Sequence, residues 1–123
     1  MVLVDTSVWV DHLRGGDRRL EALLKAGGVF IHPFVVGELA CGNLRNRTTV
    51  LSLLGQLPET RKASHEEALL FIDNKKLLGR GIGYVDAHLL AATALSDSAR
   101  LWTLDKRLGA LAGELGLGFD THS

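Results

Sequence analysis

The sequence predicts an α/β domain built on a parallel sheet, and three observations predict it. Short apolar runs recur without polar alternation, at Val2-Leu3-Val4, Val29-Phe30-Ile31 and Leu101-Trp102-Thr103-Leu104, with Leu117 to Phe119 as a weaker fourth. Continuous apolar runs mark strands covered on both faces. Helical patterns lie between these runs, and strands alternating with helices imply stacked layers. The length of 123 residues, 46% of them hydrophobic and 23% charged, suits one compact soluble domain over residues 1–123.

Taken in order, Thr6 to Arg14 predicts a short helix stopped by Gly15-Gly16. Leu20, Leu23 and Leu24 form one apolar face of a second helix, with Gly27-Gly28 just past its end. Pro33 opens a third that carries Val35, Val36, Leu39 and Ala40. Proline suits a first turn because its missing N–H has no partner there anyway. Thr49 to Leu57 is amphipathic and ends at Pro58. Ser64 and Glu67 have the spacing of a capping box for a helix reaching about Leu78. Gly79, Gly81 and Gly83 make a loop before the most apolar helix, Tyr84 to Leu95. A final helix follows Asp105, with Leu108, Leu111, Ala112 and Leu115 at helical spacing. No repeat, low-complexity stretch or linker interrupts this order.

Formal net charge is zero, with 14 Lys+Arg against 14 Asp+Glu. Binding nucleic acid through bulk positive charge is therefore excluded, and such contact needs a local cationic cluster or a bound cation. Arg45 and Arg47, then Lys106 and Arg107, are the best-placed cations. Cys41 is the only cysteine, which rules out an internal disulfide and fits a cytoplasmic location. Its small apolar neighbours suggest a packing role. Met1 to Val4 lacks the basic flank of a secretory signal, and Ala87 to Leu95 is too short to span a membrane. The five histidines form no close zinc spacing with one another or with Cys41, so structural roles are expected for them. Trp9 and Trp102 read as core or interface residues.

Chemistry is expected at the strand ends. Asp5 ends the first strand and Asp105 ends a later one, and ligands of open parallel sheets bind outside the carboxyl ends of strands. Glu38, soon after Pro33, and Asp86, in the first turn of the apolar helix, can join them from the same edge. Each acid also has a plain structural role open to it: a helix cap for Asp5 and Asp105, a dipole partner for Asp86, a solvated surface for Glu38. Gathered together, four carboxylates repel one another, and a hard divalent cation removes the conflict. Such an ion supports phosphodiester hydrolysis without a protein nucleophile.

The blocks Val4-Asp5-Thr6-Ser7-Val8-Trp9, Val36-Gly37-Glu38-Leu39, Val85-Asp86-Ala87-His88-Leu89-Leu90-Ala91-Ala92 and Trp102-Thr103-Leu104-Asp105 resemble the signature of PIN-domain nucleases, and most of all the VapC toxins of bacterial toxin–antitoxin pairs. The resemblance spans nearly the whole chain, with order and spacing kept. It implies a three-layer α/β/α fold around a central parallel sheet. It also implies an endoribonuclease dependent on Mg²⁺ or Mn²⁺, a homodimer, and a cognate antitoxin that blocks the site. Operator DNA is then reached only through the antitoxin. Asp5, Glu38, Asp86 and Asp105 fall at the family's four acidic positions as catalytic residues and metal ligands. Thr6, Ser7 and Thr103 match the small polar residues beside them, whose hydroxyls can fix a carboxylate or a metal-bound water.

Other classes fit less well. A phosphorelay receiver needs paired acids after the first strand and an acceptor Asp after a middle strand, but residues 44–58 contain no Asp. A hydrolase with an aspartyl nucleophile has acids two apart, whereas Ser7 stands two residues after Asp5. A catalytically silent PIN-like subunit acting through an antitoxin remains the alternative. The complete set of acids argues against it.

Overall fold

The buried strand Val2–Val4 (β1) forms the middle of the sheet, with every side chain removed from solvent. In this computed structural model, which describes residues 1–120, β1 pairs in parallel with β2 (Val29–Phe30) and with β3 (Arg100–Trp102). The order is β2-β1-β3. Parallel neighbours require crossover connections, and helices supply them. Between β1 and β2 lie α1 (Thr6–Gly15) and α2 (Arg18–Lys25), between β2 and β3 lie α3 (Pro33–Cys41), α4 (Arg47–Leu54), α5 (His65–Asn74) and α6 (Tyr84–Leu95), and α7 (Lys106–Glu114) follows β3. Helices cover both faces of the sheet, giving the expected α/β/α layers. Fully apolar strands are stable only under that double cover.

The weaker fourth run forms one parallel bridge and no strand. Leu101 donates its N–H to Leu117, and Phe119 donates to Leu101, so Gly118 lies opposite Leu101. Ile31 likewise leaves β2 as an isolated bridge to Glu59. Each outer strand is thus extended by one bridge from a loop, made of two backbone hydrogen bonds. Two helices differ from expectation: α4 begins at Arg47, and α5 stops at Asn74, just before Lys76 turns left-handed at φ 55°.

Helix α6 runs through the core, with Ala87 to Thr93 all buried, as befits a helix apolar on every side. The Thr93 hydroxyl answers to Leu89 O and the Ser96 hydroxyl to Ala92 O, so neither is buried without a partner. The predicted capping box of α5 is present, with Glu67 N–H donating to Ser64 Oγ and Ser64 N–H to Glu67 Oε1. Trp9 and Trp102 lie in the core. Cys41, expected to pack, is instead exposed, because it ends α3 just before the chain leaves at Gly42. No helix among the described residues is long and apolar enough to cross a membrane.

Candidate active site

Parallel register determines which residues meet at the carboxyl edge of the sheet. Val4 faces Trp102, and Asp5 N–H donates to Trp102 O, so the residues after the two strands, Asp5 and Thr103, become neighbours. The Thr103 hydroxyl donates to Asp5 Oδ2 at 2.7 Å, and the Ser7 hydroxyl lies 3.0 Å from the same oxygen. Asp5 is only 7% exposed and occupies the position before α1, yet its carboxylate does not cap that helix. Its carboxylate accepts instead from the hydroxyl of Ser7, in the first turn of α1, and from that of Thr103, after β3. Ser7 Oγ in turn accepts from Leu104 N–H, and Thr103 Oγ1 from Asp105 N–H, tying the loop after β3 to the start of α1.

Asp105 follows that loop and caps α7 by accepting from Leu108 N–H at 2.9 Å. Its plain structural role is therefore real. It remains exposed, with only one carboxylate oxygen engaged by the cap. Asp86 is half-buried in the first turn of α6 and accepts the Gly83 N–H. Glu38, exposed on α3, accepts the Thr6 hydroxyl at 2.6 Å, because α1 packs on α3. The hydroxyls of Thr6, Ser7 and Thr103 thus all orient carboxylates, as their place in the blocks suggested.

The four acids share one electrostatic neighbourhood. The pKa of Asp86 is raised, chiefly by burial and then by the negative charges of Asp5, Asp105 and Glu38, against the opposing pull of the Gly83 N–H. Among the described residues, no three acidic, histidine or cysteine side chains are gathered closely enough to enclose an ion by themselves. The arrangement is an open acidic basin and not a closed cage. That fits a hard cation such as magnesium, which keeps several waters and takes few carboxylates alongside a phosphate. The donor chemistry, all oxygen and mutually repelling, suits such an ion.

Cations flank this basin. Arg107, exposed at the start of α7, lies against the loop before α6. A Cβ added to Gly81 would come 2.8 Å from Arg107 Cδ and Nη1, and Gly81 has φ +82°. Arg47 is committed to α3 through a bond to Ala40 O, and Arg80 to an ion pair with Glu114. On the α3 side, a cleft of about 660 Å³ reaches Glu38 and is bordered by Arg14 and Arg45. Sequence reasoning singled out Arg45 and missed Arg14. No spacing announces Arg14, since only the packing of α1 on α3 brings it there.

The described histidines have partners of their own outside the four acids. His32 and His88 are buried beneath the exposed rings of Phe34 and Tyr84, in a cluster of edge-packed rings. His32 Nδ1 caps α3 by accepting Phe34 N–H, and burial, with His88 nearby, lowers its pKa to about 4. His12 accepts the Asp17 N–H, and His65 bonds the Tyr84 hydroxyl. These are structural roles, as expected; His122 lies outside the described residues.

The fold and this acidic edge define a PIN domain: residues 2–114 match that family, and the chain belongs to it. Within the family it is of the VapC type. It is 48% identical over 117 residues to Ribonuclease VapC32 of Mycobacterium tuberculosis, strains CDC 1551 / Oshkosh and ATCC 25618 / H37Rv. The match covers 95% of this chain and 94% of each relative.

Proposed function

We propose that this protein is a divalent-metal-dependent endoribonuclease, the toxin of a toxin–antitoxin pair. The observation that carries the reading is the set of four carboxylates, from α1's entry, α3, α6 and α7's entry, of which three oppose ionisation of the fourth. Groups that resist ionising together are stabilised by a cation placed among them. Asp5 and Asp86 would hold Mg²⁺ or Mn²⁺, with Glu38 and Asp105 contributing directly or through water. A bound cation supplies Lewis-acid polarisation of the phosphoryl oxygen and a more acidic attacking water. The chain's own part is to hold the ligands still. Ser7 and Thr103 fix Asp5, Thr6 fixes Glu38, and the Gly83 N–H fixes Asp86.

Support for an RNA substrate comes from the relatives named as ribonucleases. The remaining functional properties follow the VapC likeness: a homodimer in the cytoplasm, a cognate antitoxin, and operator DNA reached only through that antitoxin. An apolar groove of about 460 Å³ between Trp9, Leu24 and Val50, with Leu53 58% exposed at its side, supports a protein partner.

Cleavage of total RNA tests the reading. Wild-type protein is expected to cut RNA with Mg²⁺ or Mn²⁺ and to stop with chelator, and Asp5→Asn or Asp86→Asn to lose cutting while remaining folded. Equal cutting with chelator ends the metal mechanism. Growth arrest on expression, relieved by Asp5→Asn, separates the toxin from a silent binding subunit.

A further inference from the structure

We infer that the cleft beside Glu38 is the subsite for a nucleotide of single-stranded RNA next to the cleaved bond. Here Arg14 and Arg45 hold backbone phosphate, and the apolar floor takes an unstacked base. The inference rests on the ribonuclease reading above and deepens it. Three observations carry it. First, the cleft is continuous with the acidic basin, because Glu38, one of the four acids, lines it. Secondly, Arg14 and Arg45 are exposed and, among the described residues, neither has an ion-pair or hydrogen-bonding partner, whereas Arg47 and Arg80 are both engaged. In a chain of zero net charge, two free guanidinium groups beside a carboxylate site form the local positive cluster that phosphate binding requires.

The third observation is the character of the interior. Val10, Leu39 and Leu44, half-buried or buried, line it, while Asn43 offers an amide at the side. A volume of about 660 Å³ lies in the range of small-ligand sites, which combine apolar walls with a few polar groups. Single-stranded RNA presents unstacked bases that seek such walls and stack on guanidinium planes. Charge therefore favours RNA over an apolar protein segment, whose natural seat is the neighbouring uncharged groove.

The test uses the whole protein and a short labelled oligoribonucleotide of mixed sequence. With chelator present, binding is followed by fluorescence anisotropy across a salt series, for wild type and for Arg14→Gln combined with Arg45→Gln. The double variant is expected to bind more weakly, its log–log salt slope reduced by roughly 0.7 for each guanidinium removed. In the cleavage assay KM rises by about tenfold while kcat stays within about twofold, the pattern of lost uniform binding. An abasic nucleotide on one side of the cut bond raises KM for wild type, while Lys25→Gln, on α2, changes nothing. Unaltered binding, slope and KM in the double variant overturn the inference, and so does an oligonucleotide that tolerates abasic sites on both sides of the cut. Retained RNA cleavage with lost inhibition by the antitoxin also overturns it, and assigns the cleft to a protein. Should wild type cut no RNA, the ribonuclease reading fails, while the binding arm still decides the cleft.

Discussion

The Thr103 hydroxyl donates to Asp5 Oδ2 at 2.7 Å, joining residues 98 positions apart at the one place where β1 and β3 leave the sheet together. Thr103 also accepts the Asp105 N–H, so a single hydroxyl orients one acid and the backbone of another. Thr103→Val is expected to lower cleavage or cation affinity by about 10–100-fold, the usual cost of removing such support. Thr103→Ser restores most of it. Cleavage rates against cation concentration check both, and a wild-type rate in the valine variant shows that Ser7 alone suffices.

Asp105 couples a helix cap to the acidic basin, and two substitutions separate these roles. Asp105→Ala removes the acceptor for Leu108 N–H and is expected to cost about 1 kcal/mol of stability. Asp105→Asn keeps an acceptor of nearly equal capping strength and removes the charge. Urea denaturation should therefore distinguish the pair, while cleavage assays find both impaired. If asparagine leaves cleavage intact, Asp105 is a cap alone.

Acid should weaken the fold through His32. Its folded pKa lies near 4 against 6.5 when unfolded. Between those values the unfolded chain binds a proton that the folded chain refuses. Stability is thus lost as pH falls from 6.5 and levels off below about 4, with a slope approaching roughly 1.4 kcal/mol per pH unit. His32→Asn retains an acceptor for the Phe34 N–H and removes the titration. Denaturation midpoints at neutral and mildly acidic pH are expected to differ more in wild type than in the variant. An identical pH dependence contradicts the assignment.

Gly81 gives Arg107 its room. Gly81→Ala places a methyl group 2.8 Å from Arg107 and a side chain on a backbone at φ +82°, at a cost of roughly 1–2 kcal/mol. The flexible guanidinium can swing away, so the larger consequence is expected in its position. If Arg107 contacts the RNA backbone, Gly81→Ala and Arg107→Gln raise KM by similar factors with kcat little changed. Steady-state kinetics on one oligoribonucleotide compare them.

Much of this was legible in the sequence because local rules act over a few residues. Continuous apolar runs marked the three strands, and Ser64 with Glu67 announced a capping box that forms. Asp5 could be placed at the carboxyl edge because its strand end is recognisable, whereas Asp105, expected to end a strand, follows a loop after β3 and begins α7. What was not legible depends on packing between distant segments. Leu117 to Phe119 has the composition of a strand, but a single bridge to Leu101 is all the edge provides. Cys41 has core-like neighbours in sequence, yet it lies at a helix end facing solvent. Arg14 entered the cleft only through the packing of α1 on α3, and the lack of a closed cage is likewise a matter of distances.

The central strand has a consequence for biosynthesis. β1 is made first, but its neighbour β3 begins only at Arg100. A growing polypeptide adds about 5–20 residues per second, so Asp5 waits roughly 5–20 seconds for the residue 98 positions further on that will hold it. The acidic edge therefore cannot assemble on a nascent chain until β1, β3 and the loop carrying Thr103 have all been made, so the order of synthesis alone keeps these carboxylates apart while the helices between them form.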